Sequence, residues 1–437
     1  MCIGGSLVRL NKGSIIEKMK NQNIKTQTEL AEKIDISKSQ LSFMFSDEYE
    51  PLKKNVIKLA DVLKVSPNDI ILDEEDQMPI NSDFNRYDYK LDEFIDVSNV
   101  RKNKDYNVFE TFAGAGGLAL GLESAGLSTY GAVEIDKNAA ETLRINRPKW
   151  KVIENDIEFI ADNLDEFIDE EIDILSGGYP CQTFSYAGKR NGFADTRGTL
   201  FYPYSKILSK LKPKAFIAEN VRGLVNHDDG KTLEVMLKVF IKEGYEVYWN
   251  ILNSWNYDVA QKRERIVIIG IREDLVKEQK YPFRFPLAQV YKPVLKDVLK
   301  DVPKSKVTAY SDKKREVMKL VPPGGCWVDL PEQIAKDYMG KSWYSGGGKR
   351  GMARRISWDE PCLTLTTSPS QKQTERCHPD ETRPFSIREY ARIQSFPDEW
   401  EFSGGVGAQY RQIGNAVPVN LAKYIGKSLV HYLNQFN

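Results

Sequence analysis

Cys181 stands in the stretch Gly-Gly-Tyr-Pro-Cys-Gln at residues 177–182, directly behind the apolar run at 172–175. A strand ending in such a loop can present a thiol to a cleft, and the thiolate is a nucleophile. Pro180 fixes the chain just ahead of it, while Gly177 and Gly178 leave room beside it. A free cysteine is mostly protonated at neutral pH, so nearby positive charge or amide dipoles must assist, and Arg265 is a candidate source. Glu219 closes the apolar run at 215–218, where a carboxyl group can give or take a proton. The segment Gln261-Lys262-Arg263-Glu264-Arg265 adds two guanidinium groups that could grip a carbonyl or a phosphate.

A second constellation lies upstream. Phe112-Ala113-Gly114-Ala115-Gly116-Gly117 falls between a strand and a helix, where glycines let the backbone turn tightly and approach a ligand. Its spacing lacks the Gly-x-Gly-x-x-Gly register of a dinucleotide site. After the next strand comes Glu134, where a carboxylate can accept both hydroxyls of a ribose. Asp156 and Ile157 follow a further short strand and could hold an adenine amino group and cover its ring.

These residues need a scaffold. From Tyr106 onward strand-like runs at 107–111, 129–133, 172–175, 215–218 and 265–271 alternate with helical stretches, the pattern of a doubly wound, mostly parallel α/β sheet. Beyond Gly270 the chain becomes rich in Pro and Gly, which predicts a smaller irregular domain over 281–404. The segment 405–437 turns helical and returns to the large domain, whose first part covers 105–280. Residues 11–72 carry helical apolar stripes, and Thr26 with Glu29 and Ser37 with Gln40 fit capping boxes at two closely spaced helix starts. Residues 1–75 thus form an all-α unit, and the acidic, then mixed stretch 76–104 reads as a linker.

Composition bounds the rest. The 437 residues are 41% hydrophobic and 28% charged with zero formal net charge, which excludes coating nucleic acid by bulk attraction but leaves room for a local basic face. The clearest such face runs from Lys341 through Lys349, Arg350 and Arg354 to Arg355, without an acid between. Cys2, Cys181, Cys326, Cys362 and Cys377 are scattered, with no Cys-x-x-Cys pair, so neither a disulfide framework nor a metal site is expected. No apolar run is long enough to span a membrane, and the chain reads as cytoplasmic.

Taken in order, the glycine turn, the Pro-Cys loop, Glu219-Asn220-Val221, the Gln-x-Arg-x-Arg segment and 414–418 resemble the signature of the DNA cytosine methyltransferases that act on carbon 5. The resemblance implies a Rossmann-like domain dependent on S-adenosylmethionine, which becomes S-adenosylhomocysteine, and a small target-recognition domain. It implies cofactor contacts from Phe112, Ala113, Gly114, Gly116, Gly117, Leu118, Glu134, Ile135, Asp156, Ile157, Gly178, Pro180, Leu200, Asn415, Ala416 and Val417. It implies Cys181 as nucleophile on carbon 6 of a flipped cytosine, Glu219 at ring nitrogen 3, and Arg263 and Arg265 at the base carbonyl and nearby phosphate.

Ser185, Lys189, Arg190 and Arg197 fall in a Gly-punctuated basic loop at 185–198 expected to close over duplex DNA. Lys349, Arg350, Arg354 and residues 371–378 are the candidate target readers. The N-terminal unit resembles a phage-repressor helix-turn-helix, with Lys38, Ser39 and Gln40 on its reading face and Asp35 where many such turns carry glycine. A restriction-modification methyltransferase follows, with its own promoter DNA as a second partner, acting as a monomer on its target or dimerising through the N-terminal domain. An RNA cytosine methyltransferase and a catalytically idle DNA-binding regulator are the competing readings.

Overall fold

The computed structural model describes residue 10 and residues 12–45, 53–65, 70, 84–180, 200–344 and 351–436. The chain divides into two compact units, 1–85 with 184–199, and 86–183 with 200–437. In the first, helices α1 (Lys12–Asn21), α2 (Gln27–Lys33), α3 (Lys38–Met44) and α4 (Lys53–Leu63) enclose Ile15, Met19, Leu30, Ile34, Leu41 and Leu59. Thr26 Oγ1 accepts the Glu29 N–H at 3.1 Å. Ser37 and Gln40 close a reciprocal box, at 3.1 Å and 2.9 Å. Between α2 and α3, Asp35 takes a φ of +59°, the left-handed turn that the helix-turn-helix geometry asks of this position.

The second unit is built on a seven-stranded sheet. Its strands are β1 (Asn107–Thr111), β2 (Ser128–Val133), β3 (Lys151–Ile153), β4 (Ile174–Gly177), β5 (Ala215–Val221), β6 (Tyr245–Asn253) and β7 (Glu264–Arg272). They lie in the order β3-β2-β1-β4-β5-β7-β6. The first five are parallel, and β7 runs antiparallel between β5 and β6, pairing Val221 with Arg265 and Glu219 with Val267. The α/β expectation therefore holds, with β6 as an element that the reading of the sequence passed over. Its signal was present: buried Tyr245, Val247 and Trp249 alternate with half-buried residues, the period of a strand.

Helix α5 (Gly117–Ser124) follows the glycine turn and packs on the last helix, α6 (Val419–Leu433). The contact is close because both helices offer small residues. A Cβ on Gly121 would lie 2.3 Å from Ala422 Cβ and 2.4 Å from Val419 O, and one on Gly426 would lie 2.7 Å from Ala125 Cβ. The C-terminal segment thereby returns to the core that contains Val108, Ile174, Ile217 and Val267.

Two expectations are revised here. From Arg86 on, the stretch read as a linker is folded: Lys90 bridges Trp249, the Leu91 N–H donates to Trp249 O at 3.0 Å, and Phe94–Ile95 pair with Phe285–Pro286. The edge strand β6 would otherwise expose its unpaired backbone groups. Nor is 281–404 one separate body. Phe283 and Phe285 join the sheet core, and Ile387, Ala391, Phe396 and Trp400 join the cluster behind the glycine turn. A core of its own, built from Tyr310, Met318, Val321, Leu330, Ala335, Ala353 and Cys377, belongs only to the middle of that range. Local pattern shows that chain is irregular, not which core it serves.

Gly121→Ala tests the helix contact. Helix propensity would favour alanine by about 1 kcal/mol, but the overlap with Ala422 and Val419 costs on the order of 1–3 kcal/mol or more. A lowered denaturation midpoint is expected, and a variant as stable as the parent would contradict the close approach.

Candidate active site

The strand order reverses between β1 and β4, so the loops leaving their carboxyl ends diverge and open a crevice. The turn after β1 lines it. Phe112, Gly114 and Gly116 have φ of +55°, +56° and +81°, a run of left-handed conformations for which the two glycines are suited. The Gly114 N–H donates to Glu134 Oε2 and the Asp136 N–H to Oε1, both at 2.7 Å. Burial holds the Glu134 carboxyl above its ordinary value, against the pull of those amides.

Packing fixes the back of the turn and leaves its front clear. A Cβ on Gly116 would meet Leu143 Cδ2 at 2.7 Å, one on Gly117 would meet Val417 O at 2.2 Å, and Trp400 Nε1 donates to Ala115 O at 3.1 Å. Gly114 has nothing within 4 Å of a Cβ position. Ile135 is 67% exposed, an apolar side chain held at the mouth beside Glu134. Asp156 caps the helix Ile157–Asp162, its Oδ1 accepting the Glu158 N–H at 2.8 Å, and Ile157 is buried.

Ala113, Leu118, Ala416 and Val417 are buried. Asn415 is exposed, and Leu200 is half-buried at the start of the helix Phe201–Leu211. A crevice with bare backbone, a carboxylate and one exposed apolar side chain fits a nucleoside-bearing cofactor.

The loop after β4 faces Glu219 at the end of β5. A Cβ on Gly178 would stand 3.0 Å from Glu219 Oε2, and Asn220 Nδ2 donates to Tyr179 O at 2.8 Å, tying loop to strand. Gly177 serves neighbouring side chains rather than a ligand, since a Cβ there would meet Thr111 Oγ1 at 2.3 Å. The path ends at an exposed Pro180; Cys181 and the loop residues Ser185, Lys189, Arg190 and Arg197 lie outside the described residues. Glu219 is 9% exposed, and Arg265 Nε lies 2.9 Å from its Oε1. Burial nevertheless raises the Glu219 carboxyl above its ordinary value, outweighing Arg265 and Arg263. Such a carboxyl group holds its proton to higher pH than an exposed one and can pass it to a ligand.

Residues 261, 263 and 265 alternate along extended chain and so share one face. Arg263 is 2% exposed and gives its N–H groups to Leu365 O at 3.1 Å, Gly414 O at 3.0 Å and Asn415 O at 3.4 Å. Arg263 is thus enclosed among backbone carbonyls rather than left open to a ligand as expected. Gln261 Nε2 donates to Gln394 Oε1 at 2.8 Å, and Gln394 Nε2 reaches Ile413 O at 2.7 Å and Ala416 O at 3.2 Å. Gln394 and Trp400 went unnoticed in the sequence, where they sit in an ordinary run of apolar and polar residues.

The expected readers of DNA also change. Arg354 Nη2 donates to both carboxylate oxygens of Glu360, at 2.5 Å and 2.6 Å, and Arg355 is buried among the carbonyls of Met318, Val321 and His378. Both guanidiniums are thus spent on holding the small core. Lys349 and Arg350 lie outside the described residues. Of 371–378, residues 371–373 are exposed and 375–378 are buried. In the N-terminal unit Lys38 and Gln40 are exposed, with Gln40 Oε1 engaged in the cap, and Ser39 lies on α3, its side chain outside the described ones. Among the described residues, no cluster of His, Cys, Asp and Glu could hold a metal ion, and no helix is long and apolar enough to cross a membrane.

Comparison with known proteins places this geometry. Residues 106–431 match the family model of C-5 cytosine-specific DNA methylases, and residues 15–70 match a helix-turn-helix model. The chain is 52% identical over 343 residues to the type II methyltransferase M.Eco47II of Escherichia coli, covering 77% of this chain and 81% of that protein. It is 52% identical over 342 residues to M.PspPI of Psychrobacter sp. (strain TA137), with the same coverage. A solved prophage-encoded protein of E. coli, described as a candidate DNA modification methyltransferase, superposes with a TM-score of 0.56 at 25% identity, over 75% of this chain and 99% of its own.

Arg263→Met would strip the buried carbonyls of Leu365 and Gly414, and the part-buried one of Asn415, of this donor. Unsatisfied groups of this kind cost about 1–3 kcal/mol each, so urea denaturation is expected to show a loss on the order of 2–4 kcal/mol. An unchanged midpoint would mean that those carbonyls find water.

Proposed function

The chain belongs to the C-5 cytosine-specific DNA methylase family and is a DNA cytosine-5 methyltransferase of the type II restriction-modification kind, and we propose that it methylates one cytosine of a specific duplex sequence through a transient bond to Cys181. Modification at that sequence protects DNA from a cognate endonuclease. The observation that carries the reading is Glu219: a carboxyl group raised by burial, paired with Arg265, and directly against the backbone that leads to Cys181.

Carbon 5 of cytosine is a poor nucleophile in the intact ring. The base must leave the stack, because a duplex hides carbon 6. The Cys181 thiolate then forms a C–S bond at carbon 6, and the electrons displaced through the ring are met at nitrogen 3 by the proton of Glu219. Arg265, half-buried beside Glu219, holds the base carbonyl in this reading, which its nearness to Glu219 supports. The ring is now an enamine, nucleophilic at carbon 5. S-adenosylmethionine, when bound, supplies the electrophilic methyl group. Water then takes the carbon 5 proton, the C–S bond at carbon 6 breaks to release the thiolate, and the nitrogen 3 proton returns to Glu219, which restores the ring. The residues that would hold the cofactor are the bare turn at Gly114 and Gly116, the Glu134 carboxylate, Ile135 and the exposed Asn415.

The N-terminal unit binds promoter DNA of its own operon in this reading. Its support is the matched helix-turn-helix, with exposed Lys38 and Gln40 at the start of α3.

Three outcomes are expected. Cys181→Ser abolishes methyl transfer and the covalent trap on a 5-fluorocytosine duplex while cofactor binding persists; transfer that survives the change sinks the mechanism. The single-turnover rate rises with pH as the thiol ionises and falls again as Glu219 loses its proton, a loss that burial shifts to higher pH than in an exposed glutamate. In Glu219→Gln the alkaline fall should vanish and the rate drop by about 10²-fold or more. A Gln variant retaining the wild-type profile would remove Glu219 from the chemistry. Deleting residues 1–75 spares methylation and removes promoter binding; a truncated chain without transferase activity would show the two functions to be inseparable.

A further inference from the structure

Beneath one exposed loop of the small domain lies an ionic group that the reaction does not use. Glu375 is 0% exposed, yet its carboxylate takes the Tyr310 hydroxyl at 2.6 Å on Oε1 and the Lys314 ammonium on Oε2. The same ammonium donates to Ser370 O at 2.7 Å. One lysine on the helix Asp312–Lys319 therefore grips both feet of the loop 370–375. Apolar residues of similar volume would commonly stabilise a core as well or better. What the ionic group adds is a directional constraint.

The loop between its feet is braced again. Lys372 Nζ sits 5.1 Å from the centre of the Tyr338 ring and 3.5 Å from Met339 O, and Thr374 Oγ1 donates to Gln371 Oε1 at 3.1 Å. The Glu375 N–H donates to Gly351 O at 2.9 Å, and a Cβ on Gly351 would stand 2.6 Å from Gln373 O. Gln373 itself is exposed. Its amide carries a donor and an acceptor, the pair that matches the edge of adenine in a major groove. A reading residue must be held within about half an ångström of its productive position.

We propose that Lys314, Glu375 and Tyr310 are positioning residues that hold the loop over residues 371–373 in reading geometry, so that Gln373 contacts a base pair of the target and the buried anchor sets sequence preference. This rests on the reading of the chain as a duplex DNA methyltransferase. The anchor touches neither cofactor nor reacting base, so its loss acts on recognition and not on chemistry.

The test uses the full chain, with duplex DNA of random sequence methylated in vitro and read by bisulfite sequencing, and with steady-state kinetics on the preferred duplex. Lys314→Met is expected to raise KM for that duplex by about ten-fold and to flatten preference at one base pair by a similar factor, with kcat changed by less than about two-fold because the catalytic groups are untouched. Lys314→Arg should restore part of the preference, since a guanidinium can still span both feet. Gln373→Ala leaves the anchor intact and should lose preference at the same base pair. Unaltered preference in Gln373→Ala overturns the proposal, and remains decisive if Lys314→Met does not fold. A fall in kcat and cofactor affinity matching the rise in KM in Lys314→Met also overturns it. A wild-type chain that methylates no duplex would instead defeat the functional reading on which the proposal stands.

Discussion

A carboxyl group buried at the end of β5 is the constraint around which the catalytic unit is arranged. Glu219 has lost most of its water, and the guanidinium of Arg265 at 2.9 Å is its charged neighbour. That neighbour is available because β7 runs antiparallel beside β5, which returns its first residues to the end of the sheet where the parallel strands finish. A seventh strand added in parallel would have carried Arg265 to the opposite end. The reversed strand is thus part of the site as much as of the scaffold.

The same strand transmits position to the cofactor side. Arg265 faces Glu219, while two and four residues earlier Arg263 and Gln261 reach the backbone of 413–416, directly and through Gln394. Val417, next along, presses its carbonyl onto Gly117 at the start of α5, and that helix follows directly on the turn that Glu134 holds from in front. A continuous chain of backbone contacts and hydrogen bonds therefore joins Glu219 to the glycine turn. Most of its members are buried polar groups satisfied by carbonyls, an arrangement sensitive to the loss of any one partner.

Much of this was legible in the residues. The glycine turn, Glu134 and Glu219 stand at strand ends, which hydrophobic runs mark well, and the capping boxes of the N-terminal unit are local and carry their own geometry. β6 escaped notice because its aromatic residues and central Asn250 interrupt a simple apolar run, although the alternation is there in burial. Arg263 and Arg354 were misassigned for a different cause. A guanidinium in a motif reads the same whether its N–H groups will meet phosphate or backbone carbonyls, and only the folding of 365 and 414 onto 263, or of Glu360 onto Arg354, makes the choice.

What the sequence laid out by itself was a candidate chemistry and its order along the chain: a cysteine after one strand, a carboxyl group after another, a bare turn before a helix, a helix-turn-helix ahead of them. Residue type and strand period suffice for that, since both are local. Which cations remain free for a ligand, which glycines serve packing instead of binding, and which exposed loop is clamped by Lys314 from below were decided by tertiary structure alone. Those outcomes depend on segments brought together from distant parts of the chain, and a buried polar group takes whichever partner the fold places within reach.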